Sequence, residues 1–221
     1  MRLDPLVRDR YPELMVGYAI AHNVKVERFV KELDEEKQGV AKEAQDKYAL
    51  TPILEIPEIK AYREFYKVMN VDPTKIRPPT EYLLRKAIAG RFPSINNLVD
   101  SCLLASVKHW AIVSVYDLDK VRGTPVVTLS KWMETFQLID GRMASPTVAE
   151  VVLRDDEKIL TAYAMGDAKA TMVTPQTKNA LIVAWNAPGI SQQQVEAALN
   201  LAIDYAKRFC QATIEKSEIL T

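Results

Sequence analysis

Four fragments decide the fold of this chain: YREFYK at Tyr62–Lys67, VDPTKIRPPTEYLLRKAIAG at Val71–Gly90, PSINNLVD at Pro93–Asp100 and VYDLDK at Val115–Lys120. They carry more ordered polar side chains than a generic helix–loop–strand segment requires. Prolines in the second fragment mark turns and helix starts, because proline fixes φ and lacks a backbone donor. The last fragment places acidic residues where a predicted strand gives way to a turn. The fragments therefore predict helices followed by a strand.

Helical patterns dominate the first half of the chain. Residues 57–70 repeat apolar side chains at three- and four-residue steps, which predicts an amphipathic helix with Pro57 near its start. In the next helix, Thr80 is the expected N-cap and Gly90 the expected stop. Ser191 is the expected N-cap of the last helix. Further helices are predicted at residues 26–49, 80–90, 101–110 and 191–210, and a strand within residues 12–22.

Short β-branched and aromatic runs separated by turn signals follow from residue 111 onward. We therefore predict an α+β fold with a mixed, β-barrel-like sheet core and flanking helices. One domain is expected over residues 1–221, with a helix-rich half at about 1–110, a strand-rich half at about 111–190 and a C-terminal helix at 191–210. The six predicted strands of the second half lie within residues 111–121, 125–130, 133–139, 147–155, 158–166 and 180–187.

Composition argues against several classes of protein. Lys and Arg total 29, as do Asp and Glu, so the zero net charge argues against a generally basic nucleic-acid coat but allows a local basic patch. Cys102, Cys210, His22 and His109 stand far apart, so we expect no metal, no cofactor and two reduced thiols. No apolar run approaches the ~20 residues of a membrane span, so we expect a cytoplasmic protein that does not bind membranes. No GxSxG, P-loop or HExxH signature occurs.

Several polar residues have both a structural and a functional interpretation. Arg77 and Glu81 lie four residues apart across a Pro-Pro turn, where a structural ion pair is the plainer interpretation. Asp100 can cap a helix or orient the amine of a ligand. Asp117 lies in an acidic turn that is either merely exposed or part of a site. The polar loop at residues 166–177 is either a hairpin loop or one wall of a small-ligand pocket.

The ordered fragments resemble the B3/4 domain of the phenylalanyl-tRNA synthetase β subunit, and more closely the free-standing proteins built from that domain alone. Other shared elements are the Ala149–Glu150 pair and the threonines Thr171, Thr174 and Thr177. The resemblance covers about residues 10–210, and its specificity lies in the order of the fragments rather than in one motif. It implies the fold of that family, a β-barrel core with flanking helices.

The resemblance also implies a chemistry. In the synthetase, this domain hydrolyses tRNA charged with tyrosine in place of phenylalanine, and the free-standing members resemble it as candidates for editing in trans. The ester between amino acid and ribose is already activated, so such a site can act largely by positioning its substrate and a water molecule. A pocket selective for tyrosine gains discrimination from a buried partner for the phenol.

This chain departs from the family pattern near its polar loop and its acidic turn. The synthetase commonly has a histidine just before the aromatic–Asp pair, whereas Ser114 and Val115 precede Tyr116 here. Lys169 is nearest to the position of an acidic loop residue of the synthetase, and Asp167 is close by but shifted.

Free-standing relatives differ from this chain at two further places. They usually carry an asparagine where Leu103 stands, and a Trp-Asn-x-Arg segment where residues 163–166 read Tyr-Ala-Met-Gly. A pocket that has lost these polar groups is expected to be apolar, differently specific or catalytically silent.

Two functional hypotheses follow. The first is a trans-acting editing hydrolase of aminoacyl-tRNA, or a tRNA-binding protein; the alternative is a non-catalytic binding protein for tRNA, a free amino acid or a protein partner. An unrelated small-molecule hydrolase has no separate support, and the oligomeric state stays open. The expected catalytic residues are Thr171, Thr174 and Asp167. The expected substrate-binding residues are Asn96, Asp100, Ser114, Tyr116, Asp117, Glu150 and Lys169, with Asp100 or Asp117 holding the amine. The expected tRNA-binding residues are Lys75, Arg77, Arg85, Lys86 and Arg91.

Overall fold

Most helices lie in the first half of the chain and most strands in the second half in the computed structural model, which describes residues Met1 to Thr221. The helices are α1 (Pro5–Arg10), α2 (Lys31–Tyr48), α3 (Pro57–Val68), α4 (Pro79–Ile88), α5 (Asn97–His109) and α6 (Gln192–Cys210). The strands are β1 (Arg2–Leu3), β2 (Val16–His22), β3 (Ile112–Asp117), β4 (Val126–Leu129), β5 (Phe136–Gln137), β6 (Met143–Ala144), β7 (Val151–Arg154), β8 (Ile159–Ala162), β9 (Gly166–Asp167), β10 (Ala180–Trp185) and β11 (Thr213–Leu220).

The strands form two main sheets and one small hairpin. The first sheet has the order β1-β4-β7-β8-β9, with a parallel β1–β4 pair and antiparallel neighbours elsewhere. The second is antiparallel, with the order β11-β2-β10-β3, and β5 pairs with β6. The predicted α+β fold with mixed sheets and flanking helices is confirmed. The expected closure into a barrel is not seen, because each main sheet ends in two edge strands.

Strand β10 holds the layers together, because all six of its residues are buried. Side chains alternate between the two faces of a strand. Leu181, Val183 and Trp185 pack in one core cluster with side chains of α3 and the first sheet. The alternate residues Ala180, Ile182 and Ala184 pack in a second cluster with α5 and α6. The continuous apolar run at residues 180–185 is therefore what a sheet covered on both faces requires.

Helix caps explain where several helices begin and end. Asn96 caps α5 by accepting a hydrogen bond from the Val99 N–H at 2.9 Å. Ser191 and Gln194 form a capping box at the start of α6, so the predicted cap is confirmed. Gly90 follows the end of α4 with a φ of +63°, as a helix stop should.

The expected N-cap of α4 is wrong. That helix starts at Pro79, its N-cap is Pro78, and no side chain caps it. Thr80 lies inside the first turn, buried, and its hydroxyl has no hydrogen-bond partner. The Pro-Pro pair sets the start of the helix through its fixed φ rather than through a side-chain cap. None of the helices combines the length and apolar character that a membrane crossing requires.

Candidate functional site

Two adjoining cavities lie where helix α5, edge strand β3 and the segment after β8 meet. Their volumes are about 140 Å³ and 130 Å³. Both are bordered by Leu103, Val113, Ser114 and Asp167, so these four residues form a common wall. Other residues of the first cavity include Ile95, Asn96, Tyr116, Ile139, Thr171 and Met172. Other residues of the second include Pro79, Leu83, Ser106, Thr161, Tyr163 and Trp185.

The carboxyl group of Asp167 is the chemically distinctive group of the common wall. Its Oδ1 accepts a hydrogen bond from the Tyr116 hydroxyl at 3.1 Å, and no cation lies within ion-pair distance. Burial raises the pKa of Asp167 above its ordinary value, while nearby hydroxyls of Thr161, Tyr116 and Ser114 oppose the rise. The carboxyl group is surrounded by protein yet borders open space. It is therefore available to a cationic or hydrogen-bonding group of a ligand.

Thr171 contributes an unsatisfied hydroxyl to the first cavity. It closes a short 3₁₀ helix, Lys169–Thr171, and is fully buried. Its Oγ1 has no hydrogen-bond partner in the protein. A buried hydroxyl without a partner costs free energy, so its presence at a cavity wall points to a partner supplied from the cavity.

Asn96 adds an amide to the same cavity. Its Oδ1 is occupied by the Val99 N–H, but its NH₂ group donates no hydrogen bond within the protein. The cap therefore fixes the side chain and leaves its two N–H donors without a partner in the protein.

Three of the departures from the family pattern, at Leu103, Ser114 and Tyr163, fall within this site, whereas Lys169 does not. Leu103 and Ser114 border both cavities, and Tyr163 borders the second. Leucine at position 103 makes the common wall more apolar than an asparagine would. The structure thus brings together Asn96, Ser114, Tyr116, Asp167 and Thr171 from the residues predicted to act in the site.

Asp117 lies outside both cavities, and its carboxyl group stabilises the corner that follows β3. Its Oδ2 accepts hydrogen bonds from the Thr177 hydroxyl at 2.8 Å and from Lys120 Nζ at 3.0 Å. Its Oδ1 accepts from the Asp119 N–H at 3.2 Å. The Thr174 N–H donates to Thr177 Oγ1 at 2.9 Å, so Thr174 belongs to this corner and not to the cavity wall.

Glu150 is also outside the cavities. It is fully buried, and its carboxyl accepts from the N–H groups of Ala164, Met165 and Thr147 at 2.8, 3.3 and 3.1 Å. Burial raises the pKa of Glu150, and these hydrogen bonds oppose the rise. The side chain thereby holds the turn that follows β8.

Asp100 is engaged in a buried ion pair. It accepts from Lys37 Nζ at 3.0 Å and from the Ile95 N–H at 2.9 Å, and the Lys37 side chain is only 7% exposed. Burial raises the pKa of Asp100, and the Ile95 and Lys37 hydrogen bonds oppose the rise. Asp100 therefore joins α5 to α2, whereas the remaining predicted residue, Lys169, is exposed and borders neither cavity.

The predicted basic residues divide into two groups. Glu81, 1% exposed, binds Arg77 at 3.2 Å and Arg85 at 3.0 Å, which confirms the ion pair expected across the Pro-Pro turn. Arg63 of α3 joins them at 2.9 Å. Lys86 instead lies 5.4 Å from the ring centre of Tyr82. Lys75 and Arg91, the remaining two, are exposed.

Sequence reasoning did not single out Thr161. It is the only hydroxyl in β8, a strand whose four residues are all buried, and it borders the second cavity. A lone hydroxyl in an apolar run is a signal that could have found it. Cys102, expected only as a reduced thiol, borders the first cavity as a free cysteine.

Curated relatives are phenylalanine–tRNA ligase β subunits. The chain is 26% identical over 146 residues to that of Streptococcus mutans, covering 65% of this chain and 18% of the relative. It is 26% identical over 108 residues to that of Fusobacterium nucleatum, covering 49% of this chain and 14% of the relative. The chain thus spans less than a fifth of the length of these relatives.

A solved structure shows the same fold. An N-terminal fragment of the phenylalanyl-tRNA synthetase β subunit from Pyrococcus horikoshii superposes with a TM-score of 0.51 at 13% identity, covering all of this chain and 53% of that one. The family model of the B3/4 domain matches residues 61–216, well over half of the chain, and this stretch contains both cavities. The chain therefore belongs to the B3/4 domain family.

Proposed function

We propose that this protein hydrolyses the ester of a mischarged aminoacyl-tRNA in trans, holding the aminoacyl group in the paired cavities. The carboxyl group of Asp167 carries the proposal, since it borders both cavities without a cationic partner. The relatives, named as phenylalanine–tRNA ligase β subunits, supply the substrate class. An aminoacyl ester presents an ammonium group, a carbonyl group and a side chain, and the cavities offer a complementary group for each.

Asp167 is the partner for the α-ammonium group. A carboxylate surrounded by protein binds a cation strongly, because little water screens the pair. Tyr116 holds the carboxyl in place through its 3.1 Å hydrogen bond. The incoming ammonium supplies the positive charge that the protein itself does not provide. This assigns the amine to Asp167 rather than to Asp100 or Asp117, whose oxygens already have partners.

Thr171 and Asn96 are the polar groups available to the reacting ester. The Thr171 hydroxyl orients a water molecule, and the Asn96 NH₂ group donates to the ester carbonyl oxygen. The water oxygen bonds to the carbonyl carbon and the bond to the ribose oxygen breaks. One proton of that water goes to the ribose oxygen and the other to solvent, so the amino acid leaves as a carboxylate.

The first cavity takes the amino-acid side chain. Its walls include Val99, Leu103, Val113 and Val173, which favour an apolar side chain. A buried phenol would need a hydrogen-bond partner, and the Asp167 carboxyl that could supply one is assigned to the ammonium group. We therefore expect a preference for apolar amino acids over tyrosine.

Deacylation of a panel of mischarged tRNAs tests the proposal. The wild-type chain should release at least one amino acid faster than the uncatalysed reaction, and Asp167→Asn should lower kcat/KM about 100-fold, the loss of a charge-assisted contact in a buried site. Thr174→Val is the matched control, because Thr174 lies outside the cavities, and it should retain activity. Absence of turnover on every charged tRNA would exclude the hydrolase.

A second candidate, a non-catalytic binder of the aminoacyl group, is favoured by one observation. No histidine borders either cavity, so the commonest general base is absent from the site. Binding of a non-hydrolysable amide analogue of aminoacyl-adenosine without turnover of the ester would select this candidate. In that outcome, Asp167→Asn should still weaken binding.

A further inference from the structure

Helix α4 carries an exposed basic and aromatic surface beside the second cavity. Between residues 73 and 93 the chain has five basic residues and one acidic residue, Glu81, although the whole protein is neutral. Glu81 is buried, so it reduces the positive potential of this surface without presenting a negative charge to solvent. The segment therefore presents exposed positive charge and no exposed acidic side chain of its own.

The order of the side chains around α4 links this surface to the cavity. Successive residues of an α-helix are rotated by about 100°. On that basis Arg85, Tyr82, Lys86 and Pro79 follow one another around the exposed side of α4. Pro79 and Leu83, four residues apart on one face, border the second cavity. The surface thus leads from the arginines to the cavity.

Glu81 holds the arginines in place for binding an anion. Arg77 and Arg85 each bind Glu81 Oε1 through Nε. The terminal NH₂ groups of both make no hydrogen bond within the protein. Their side chains are 49% and 39% exposed. A guanidinium fixed through Nε presents its free N–H groups with little further loss of rotamer freedom, which suits phosphate binding.

Tyr82 and Lys86 form the part of the surface nearer to the cavity. The Tyr82 ring is 43% exposed, which is high for a large aromatic side chain, and Lys86 Nζ lies 5.4 Å from its centre. Lys86 has no ion-pair partner among the acidic residues of the chain. An exposed aromatic ring with a cation beside it is the arrangement that stacks a base and contacts the adjoining phosphate.

We propose that the exposed side of α4 binds a single-stranded RNA end, with phosphates on Arg77 and Arg85, a base on Tyr82 and the terminal nucleotide entering at Pro79. This deepens the proposed function, on which it rests, by giving the RNA a path along α4 that ends at the mouth of the second cavity. Charge complementarity and the open aromatic ring favour RNA over an acidic peptide or an anionic lipid surface. Neither a carboxylate side chain nor a lipid headgroup offers an aromatic plane that can stack on Tyr82.

Fluorescence anisotropy with a single-stranded RNA that ends in the tRNA 3′ sequence and carries no amino acid tests whether RNA binds along α4. Tyr82→Ala should weaken binding about tenfold or more, as loss of one stacked base does, while Tyr82→Phe should bind normally. Lys86→Glu should weaken binding and reduce the slope of log K against log salt by about 0.7, the contribution of one phosphate contact on a single strand. The matched control is Lys207→Glu at an exposed position of α6, which should leave binding unchanged.

The outcomes separate this inference from the proposed function. Any of three results would overturn the α4 path. The wild type could fail to bind RNA, Tyr82→Ala and Lys86→Glu could bind as the wild type does, or Lys207→Glu could lose as much binding as they do. Vesicles containing phosphatidylserine should not bind; vesicle binding lost in Lys86→Glu, together with no RNA binding, would replace RNA by a lipid surface. Deacylation is measured separately, so a chain that binds RNA through Tyr82 without hydrolysing esters would retain the path and lose the hydrolase.

Discussion

Two carboxyl groups of this chain, Glu150 and Asp167, were both predicted to act in the site, and their surroundings differ. Glu150 receives three backbone N–H donors and borders no cavity. Asp167 receives the Tyr116 hydroxyl and borders two cavities. Burial raises the pKa of both. The direction of the pKa shift therefore does not separate a structural carboxyl from a functional one, whereas the source of the hydrogen-bond donors and the adjoining space do.

The largest predicted effect on the free energy of unfolding is at Glu150. Replacing it by alanine leaves three backbone N–H groups without their partner in the interior, which should cost about 4 kcal/mol in the free energy of unfolding. Asp167→Ala removes a poorly compensated carboxyl and should cost less than about 1 kcal/mol. Urea denaturation of both variants measures the difference, and equal losses would remove the distinction between the two groups.

Thr177 and Thr171 also differ in whether the protein supplies their hydrogen-bond partners, with smaller predicted effects on stability. Thr177 donates to Asp117 and accepts from the Thr174 N–H, so Thr177→Val should destabilise the fold by about 2 kcal/mol. The Thr171 hydroxyl has no partner, so Thr171→Val should be neutral or stabilising by up to about 1 kcal/mol. Thermal unfolding checks both. Marked destabilisation by Thr171→Val would mean that its hydroxyl is already satisfied.

The pH dependence of stability sharpens the account of Asp167. Its pKa in the folded protein lies above the ordinary 3.8, so its contribution to stability is complete below pH 3.8 and is lost as the pH rises through the raised pKa. Asp167→Asn lacks this loss and should gain stability relative to the wild type as the pH increases. Urea denaturation from pH 4 to pH 8 measures the difference, and a constant difference over that range would contradict a raised pKa.

The smallest predicted effect on stability is at a surface histidine, His22, in contrast to the carboxyl groups of Glu150 and Asp167. His22 faces Glu215 Oε2 at 2.5 Å and Asn179 Oδ1 at 2.7 Å, and these hydrogen bonds, Glu215 first, raise the pKa of His22 above 6.5. Its contribution is complete below pH 6.5 and is lost as the pH rises through the raised pKa. Because the pair is exposed, the change should stay below about 1 kcal/mol.

His22→Gln should remove this part of the pH dependence, and NMR titration of the imidazole measures the pKa directly. The bridge stabilises strand β11, because Thr213 pairs with His22 at the start of the β2–β11 ladder. A His22 pKa at or below 6.5 would contradict the bridge.

Local patterns were sufficient for much of the fold. The apolar run at residues 180–185, the capping residue Ser191 and the stop at Gly90 are each readable from a few neighbouring residues, and each prediction is confirmed. Strand β11 was missed because the sequence TIEKSEIL is mostly exposed and has no continuous apolar run. Pairing with β2 rather than an apolar pattern makes it a strand.

The candidate site could be predicted only in part. Tyr116 and Asp167 are 51 residues apart, and the resemblance placed both in a pocket, which the structure shows as neighbouring walls. The sequence could not reveal that Lys37, 63 residues from Asp100, already occupies that carboxyl. Which polar groups remain free depends on long-range partners, so the distinction required the fold.

Direct titration of the Asp167 carboxyl by NMR, with and without a non-hydrolysable amide analogue of aminoacyl-adenosine, tests the central claim most directly. The free protein should show a pKa above 3.8, and the saturated complex should show a lower pKa, because the bound ammonium stabilises the carboxylate. The Glu150 carboxyl, held by backbone donors, should titrate identically in both states. An Asp167 pKa that stays unchanged at saturation would contradict the assignment of this cavity to the aminoacyl group.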